Sequence, residues 1–76
     1  MTRKTTSPMK PGQTYTMANG DYLTLVCLYK EGGRWIWECD GVITSDTGVR
    51  EARTLRVFAS SALKSRNEGN LKLAAA

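Results

Sequence analysis

Apolar and polar residues alternate with a period of two in several short runs of this chain. At that period, successive side chains of a β-strand reach opposite faces of a sheet. The alternation begins after Pro11-Gly12, a pair that punctuates the entry to the folded part. From Gln13 to Met17, Tyr15 and Met17 fall on one side and Thr14 and Thr16 on the other, which predicts a short first strand. Ala18-Asn19-Gly20 follows. Asn-Gly between two such runs is a strong hairpin signal because both residues tolerate positive φ, so this strand should pair antiparallel with the next.

The stretch from Asp21 to Asp40 organises the rest, since it carries both tryptophans, both cysteines and most of the large apolar residues. Its first half, Tyr22 to Lys30, is apolar on both faces. Leu23, Leu25, Cys27 and Tyr29 alternate with Tyr22, Thr24, Val26 and Leu28. A flat strand with one wet face would alternate more cleanly. This pattern suits a strand that bends, or one whose outer face meets a partner. Gly32-Gly33 then turns the chain, and Arg34 to Asp40 returns as a third strand with Trp35, Trp37 and Cys39 on one face. A two-residue loop pairs Glu31 with Arg34 and sets the tryptophans beside Val26 and Leu28. A three-residue loop with a bulge would instead set Cys27 opposite Cys39. The first is preferred because Glu31 and Arg34 then flank the turn as opposite charges. One residue of slip exchanges every face.

Gly41 to Thr44 extends the third strand, and Ser45-Asp46-Thr47-Gly48 is a turn by composition. Val49 to Phe58 reads as a fourth strand, with Leu55 and Val57 on one side and Ala52, Thr54, Arg56 and Phe58 on the other. Arg50 and Arg56 share a side and Arg53 opposes them. Ala59 to Lys64 reads as one helical or 3-10 turn, capped by Ser60 or Ser61, with Leu63 entering the core. Ser65 to Leu71 either closes the fold as a fifth strand or frays. Residues 1–10 are expected to be a flexible basic tail and 11–71 a single domain. Residues 72–76 look like what an expression vector adds, and are left out of the expected fold. The predicted class is all-β, a small SH3-like barrel of four or five antiparallel strands with a one-turn 3-10 helix near the C-terminus. An OB-fold would need a helix between the third and fourth strands, for which there is no room.

The segment TLRVFASSAL, Thr54 to Leu63, resembles the closing strand and 3-10 turn of the plasmid-type (type II) dihydrofolate reductases, and Pro11-Gly12 is similar to the turn before their first barrel strand. Those enzymes are tetramers whose central pore binds NADPH and dihydrofolate and carries a Val-Gln-Ile-Tyr signature on this strand. Here the matching positions are Leu55, Arg56, Val57 and Phe58. The glutamine position holds a charge and the tyrosine position lacks its hydroxyl. The resemblance therefore implies a small barrel and not that activity.

Composition narrows the chemistry. The 76 residues make one domain with a thin core. With no histidine, the commonest general base and the usual Ser-His and Cys-His nucleophile arrangements are missing. Two cysteines without histidine do not make a zinc set, and neither a P-loop nor a GxGxxG is present. Glu38 and Asp40 share a strand face but read as solvated charges. The chain is expected to be non-enzymatic, with no catalytic residue, cofactor or metal. No apolar run is long enough to span a bilayer and the N-terminus has no secretory pattern, so the expected location is cytoplasmic, away from membranes, with reduced thiols.

Two candidate binding surfaces remain. The net charge is +4, yet between Pro11 and Ser61 five basic residues (Lys30, Arg34, Arg50, Arg53, Arg56) meet six acidic ones (Asp21, Glu31, Glu38, Asp40, Asp46, Glu51). The basic excess therefore lies in the tails. A nucleic-acid reading would rest on Arg50, Arg53 and Arg56 with Arg3, Lys4 and Lys10. The aromatics give the other lead. Two indoles are a large load for so small an interior, and an exposed Trp35 or Trp37 beside Tyr22 or Tyr29 would form a platform for a partner. The leading expectation is a small binding or adaptor module, of the kind that serves phages and mobile elements as accessory or inhibitor proteins. It would engage a protein partner, or a second copy in a homo-oligomer, through a tryptophan-bearing β-face. The alternative is a DNA- or RNA-binding regulator.

Overall fold

The computed structural model describes residues 9–75. Five strands, β1 (Thr14–Met17), β2 (Tyr22–Glu31), β3 (Arg34–Thr44), β4 (Arg50–Phe58) and β5 (Leu71–Ala75), are joined by one helix, α1 (Ala59–Asn67), between the last two. The strands form a single antiparallel sheet in the order β4-β3-β2-β1-β5. The all-β, antiparallel character read from the alternation is therefore present. The expected closed barrel is not. β4 and β5 remain the two edges of an open sheet. The segment between them also differs from the expectation. In place of one 3-10 turn it forms a nine-residue α-helix, about 13 Å long at 1.5 Å per residue. The helix packs against one face of the sheet.

Each turn follows from a glycine that can adopt positive φ. Gly32 and Gly33, at φ 60° and 78°, form the two-residue turn, and Glu31 pairs with Arg34 as the preferred register requires. Both central residues at positive φ is the signature of the type I′ turn, whose twist matches that of the flanking strands. The β1–β2 connection differs from the expected Asn-Gly turn. Asn19 keeps negative φ, and only Gly20 is left-handed. The Met17 amide donates to the Asp21 carbonyl at 2.7 Å and the Gly20 amide to the Met17 carbonyl at 2.9 Å, giving a three-residue loop closed by a glycine bulge. Ser45 to Gly48 repeats this pattern between β3 and β4, with the Ser45 amide donating to Val49 and the Gly48 amide to Ser45.

β2 holds the feature that sets the faces. Leu25 pairs with Cys39 and Cys27 with Glu38, so Val26 is an extra residue, a β-bulge. On the core side of the bulge the odd residues Leu23 and Leu25 point inward. Beyond it the even residues do, with Leu28 opposite Trp37 and Lys30 opposite Trp35. This is the physical reason β2 is apolar on both faces: its inner face changes parity half-way along. Cys27 and Cys39 consequently lie on opposite faces and are both free thiols.

The inner face makes one core. Tyr15 comes from β1, Leu23 and Leu25 from β2, Trp37 and Cys39 from β3, Ala62 from α1 and Leu71 from β5. Gly41 is closely packed on this face, since a Cβ there would meet Leu55 Cδ1 at 3.0 Å and the Tyr22 carbonyl oxygen at 3.2 Å. The helix contributes only small residues, Ala59 and Ala62, to the packing. Leu63, expected in the core, is exposed. Ser60 and Ser61 do not cap the helix, whose N-cap is Phe58 with no side-chain cap. Its C-terminus is well closed. The Asn70 amide donates to the Ser65 carbonyl and the Gly69 amide to the Arg66 carbonyl, with Gly69 at φ 83°. This is a Schellman motif. The chain then enters β5, which pairs with β1 from Met17–Leu71 to Thr14–Ala75. The expected boundary at residue 71 is thus where the last strand begins, and Lys72 to Ala75 belong to the sheet.

Candidate partner-binding surface

Four side chains, Trp35, Trp37, Tyr22 and Tyr29, were the expected platform, and the sheet separates them. Trp37 is 3% exposed and belongs to the core. It is unavailable to a partner because Leu28, Val57 and the start of α1 surround it. Trp35 lies two residues earlier on the same face and is 53% exposed. The difference arises because α1 starts only after Phe58, which pairs with Ile36. The helix therefore covers the sheet as far as Trp37 and stops short of Trp35. Tyr22 and Tyr29 pair with Val42 and Ile36 and sit on the opposite face. Tyr22 is also seven residues along the ladder from Trp35, roughly 23 Å at 3.3 Å per residue.

The neighbours of Trp35 were not foreseen. A surface hollow of about 320 Å³ is lined by Arg34, Trp35, Phe58, Ala59 and Ser60. Two cations lie over its aromatic rings. The Lys30 ammonium is 5.8 Å from the Trp35 ring centre, and the Arg34 guanidinium is 4.9 Å from that of Phe58. Cations held this way stay at the surface with their charge available. The hollow thus combines two half-exposed aromatic walls with a positive rim. No carboxylate, thiol or imidazole lines it, so nothing in it accepts a proton at neutral pH.

A second cavity, also about 320 Å³, lies between α1 and the β1–β2 end, walled by Leu23, Val57, Ala62 and Leu71 and rimmed by Asn19 and Ser65. It is uncharged. Among the described residues no group of three or more histidine, cysteine, aspartate or glutamate side chains could hold a metal ion, and no helix is long and apolar enough to cross a membrane.

The arginines of the nucleic-acid reading also part company. Arg50, Arg53 and Arg56 stand opposite Thr44, Gly41 and Glu38, so Arg53 points away from the other two as the alternation requires. Arg50 is engaged internally. Its Nη2 donates to the Gly20 carbonyl at 3.0 Å and lies 3.9 Å from Asp21 Oδ1. Lys10 is exposed, and its amide donates to Gln13 Oε1. Arg3 and Lys4 lie outside the described residues.

Asp21 was read only as a charge before β2, and the structure makes it a fastening. It is 1% exposed and accepts from the Thr44 amide at 3.0 Å, the Thr44 hydroxyl at 2.6 Å and the Asn19 side-chain amide at 3.0 Å. These bonds tie the β1–β2 loop to the end of β3. The two bonds from Thr44 lead in holding the Asp21 carboxyl below its ordinary 3.8, against the opposing effect of burial. The Asn19-x-Asp21 spacing hints at a local turn, but Thr44 is 23 residues away and nothing in the sequence links the two.

No protein-family model, curated protein or solved structure matches this chain.

Proposed function

We propose that this chain is a non-enzymatic binding module of SH3-like descent, opened by its long helix, that engages a protein partner through the Trp35 end of the β2–β3 hairpin. The observation that carries this reading is the contrast between two tryptophans on one strand face, one built into the core and the other left half in water beside Phe58. A half-exposed indole leaves a large apolar area in water, and tryptophan is among the residues most enriched at binding hot spots. The Lys30 and Arg34 rim gives the partner's chemistry: an aromatic or aliphatic side chain for the hollow, with Asp or Glu beside it. The return of the last strand to pair with the first supports the SH3-like reading. The small size, and a hollow without proton-transfer groups, support an accessory or inhibitor role over catalysis.

A displayed random-peptide library panned against the protein tests this. Enriched peptides should carry an apolar anchor flanked by acidic residues, and their capture should be lost in Trp35→Ala while circular dichroism stays unchanged. Capture that survives Trp35→Ala overturns the assignment. If the protein instead retards DNA or RNA in a salt-sensitive way that requires Arg53 and Arg56, the nucleic-acid reading replaces it.

A further inference from the structure

We propose that β4 is a self-recognition edge through which two copies of this chain pair antiparallel, about a two-fold axis at Ala52, into one continuous sheet. β4 pairs with β3 along all nine of its residues on one side, and among the described residues no strand covers its other edge. The first five residues, Arg50 to Thr54, are all exposed. A free edge of this length is a template for another strand unless charge forbids it. Here the charges select a register rather than forbid pairing.

For two identical strands to continue the sheet with their faces matched, the axis must pass through a residue. With the axis at Ala52, Glu51 faces Arg53 of the second copy and Arg53 faces its Glu51, while a small residue sits at the axis. Arg50 then faces Thr54, and Val49, exposed in the single chain, faces Leu55. Moving the axis to Arg53 sets Arg53 against Arg53 and Arg50 against Arg56. Moving it to Glu51 sets Glu51 against Glu51. Axes at Thr54 or Leu55 bring no opposite charges together. Only the Ala52 register satisfies both charges, and it does so twice. Within one chain Arg50 pairs with Asp21, and among the described residues neither Glu51 nor Arg53 has an ion-pair partner, which leaves both for the second copy. The Trp35 hollow includes Phe58 at the far end of β4, outside this register, so the two surfaces are used independently.

Sedimentation of the full chain over a concentration series tests the pairing. A monomer–dimer equilibrium is expected. Glu51→Arg and Arg53→Glu should each weaken it about tenfold, because each change turns two attractive cross-strand pairs into two repulsive ones. The double variant should restore it. In a Cys27→Ser background, Ala52→Cys should form a disulfide-linked dimer on oxidation, since residues facing each other across antiparallel strands lie within disulfide reach. Thr54→Cys should not. A chain that sediments as a monomer throughout overturns the proposal. So does a dimer that the charge exchange fails to restore, or one that Ala52→Cys does not link.

Discussion

Replacing the two tryptophans one at a time separates the core from the surface quantitatively. A tryptophan side chain carries about 250 Å² of area at the upper end of the aromatic range, with each Å² removed from water contributing about 25 cal/mol. Trp37, 3% exposed, removes nearly all of that area from water. Its replacement by alanine in a packed core also leaves a cavity, so the expected cost of Trp37→Ala is about 3–5 kcal/mol. Trp35, 53% exposed, buries roughly half as much and has no enclosing cavity, so allowing for what alanine still buries its replacement should cost about 2–3 kcal/mol. A domain of this length has a total stability of roughly 4–11 kcal/mol. Trp37→Ala therefore brings the chain to the edge of unfolding and Trp35→Ala does not. Urea titration followed by far-UV circular dichroism measures this. With a slope near 1 kcal/mol per molar for a small domain, the midpoint should fall by about 3–5 M and about 2–3 M respectively. Emission gives an independent check. The Trp37→Ala protein, lit only by Trp35, should emit in the red and be quenched readily by acrylamide even when folded. Equal destabilisation by the two changes would refute the reasoning, because it would mean that α1 covers both indoles or neither.

Three further outcomes follow from single residues. A maleimide should label one thiol in the native protein, Cys27, while Cys39 reacts only on unfolding; mass spectrometry after a labelling pulse reads this, and the Cys39 thiol is pushed up to about 11 chiefly by burial, with Asp40 and Glu38 adding to it. Gly41→Ala should cost about 1–3 kcal/mol by thermal melt, because the new methyl meets the Tyr22 backbone as well as a movable Leu55 side chain. Asp21 gives stability an acid limb: its folded value lies below 3.8, so its contribution is complete above 3.8 and is lost as pH falls through the folded value. Asp21→Asn should be less stable at neutral pH and show a flatter melting-temperature profile across that acid range.

The strands were legible because alternation and glycine turns are local signals. Gln13 to Met17 and Val49 to Phe58 predict β1 and β4 to within one residue. The helix was misread for an equally local reason. Its buried face is made by alanines, so no apolar stripe of period 3.6 marks it, and Leu63 drew attention to the wrong side. The signal that would have extended it was present at the other end, where Lys64 and Arg66 precede Gly69 in the pattern of a helix C-terminus. Excluding Lys72 to Ala75 also hid β5. For the candidate site, the sequence placed Trp35 and Trp37 on one face but could not rank them. Their ranking depends on how far α1 reaches along the sheet, a tertiary fact set by where β4 ends. Phe58 escaped because it joins Trp35 from β4, whereas the Lys30–Arg34 rim was implicit in the two-residue turn, which sets Lys30 opposite Trp35 and leaves Arg34 as its neighbour on β3.

The bulge at Val26 also divides the hairpin into a base and a head with separate phases. Below it, Leu23 and Leu25 are locked to the core. Above it, the β2 side chains from Cys27 to Glu31 take their orientation from the bulge, while β3 alternates without a break through Trp35, Trp37 and Cys39. Removing Val26 would leave every paired position of β2 and β3 in place and take out only the bend. Adding one residue to β2 just after the bulge would present Cys27 and Tyr29 opposite Trp37 and Trp35, where Leu28 and Lys30 now stand. The molecule therefore sets its exposed indole on a strand of fixed phase, beside a neighbouring strand whose facing side chains one codon can exchange.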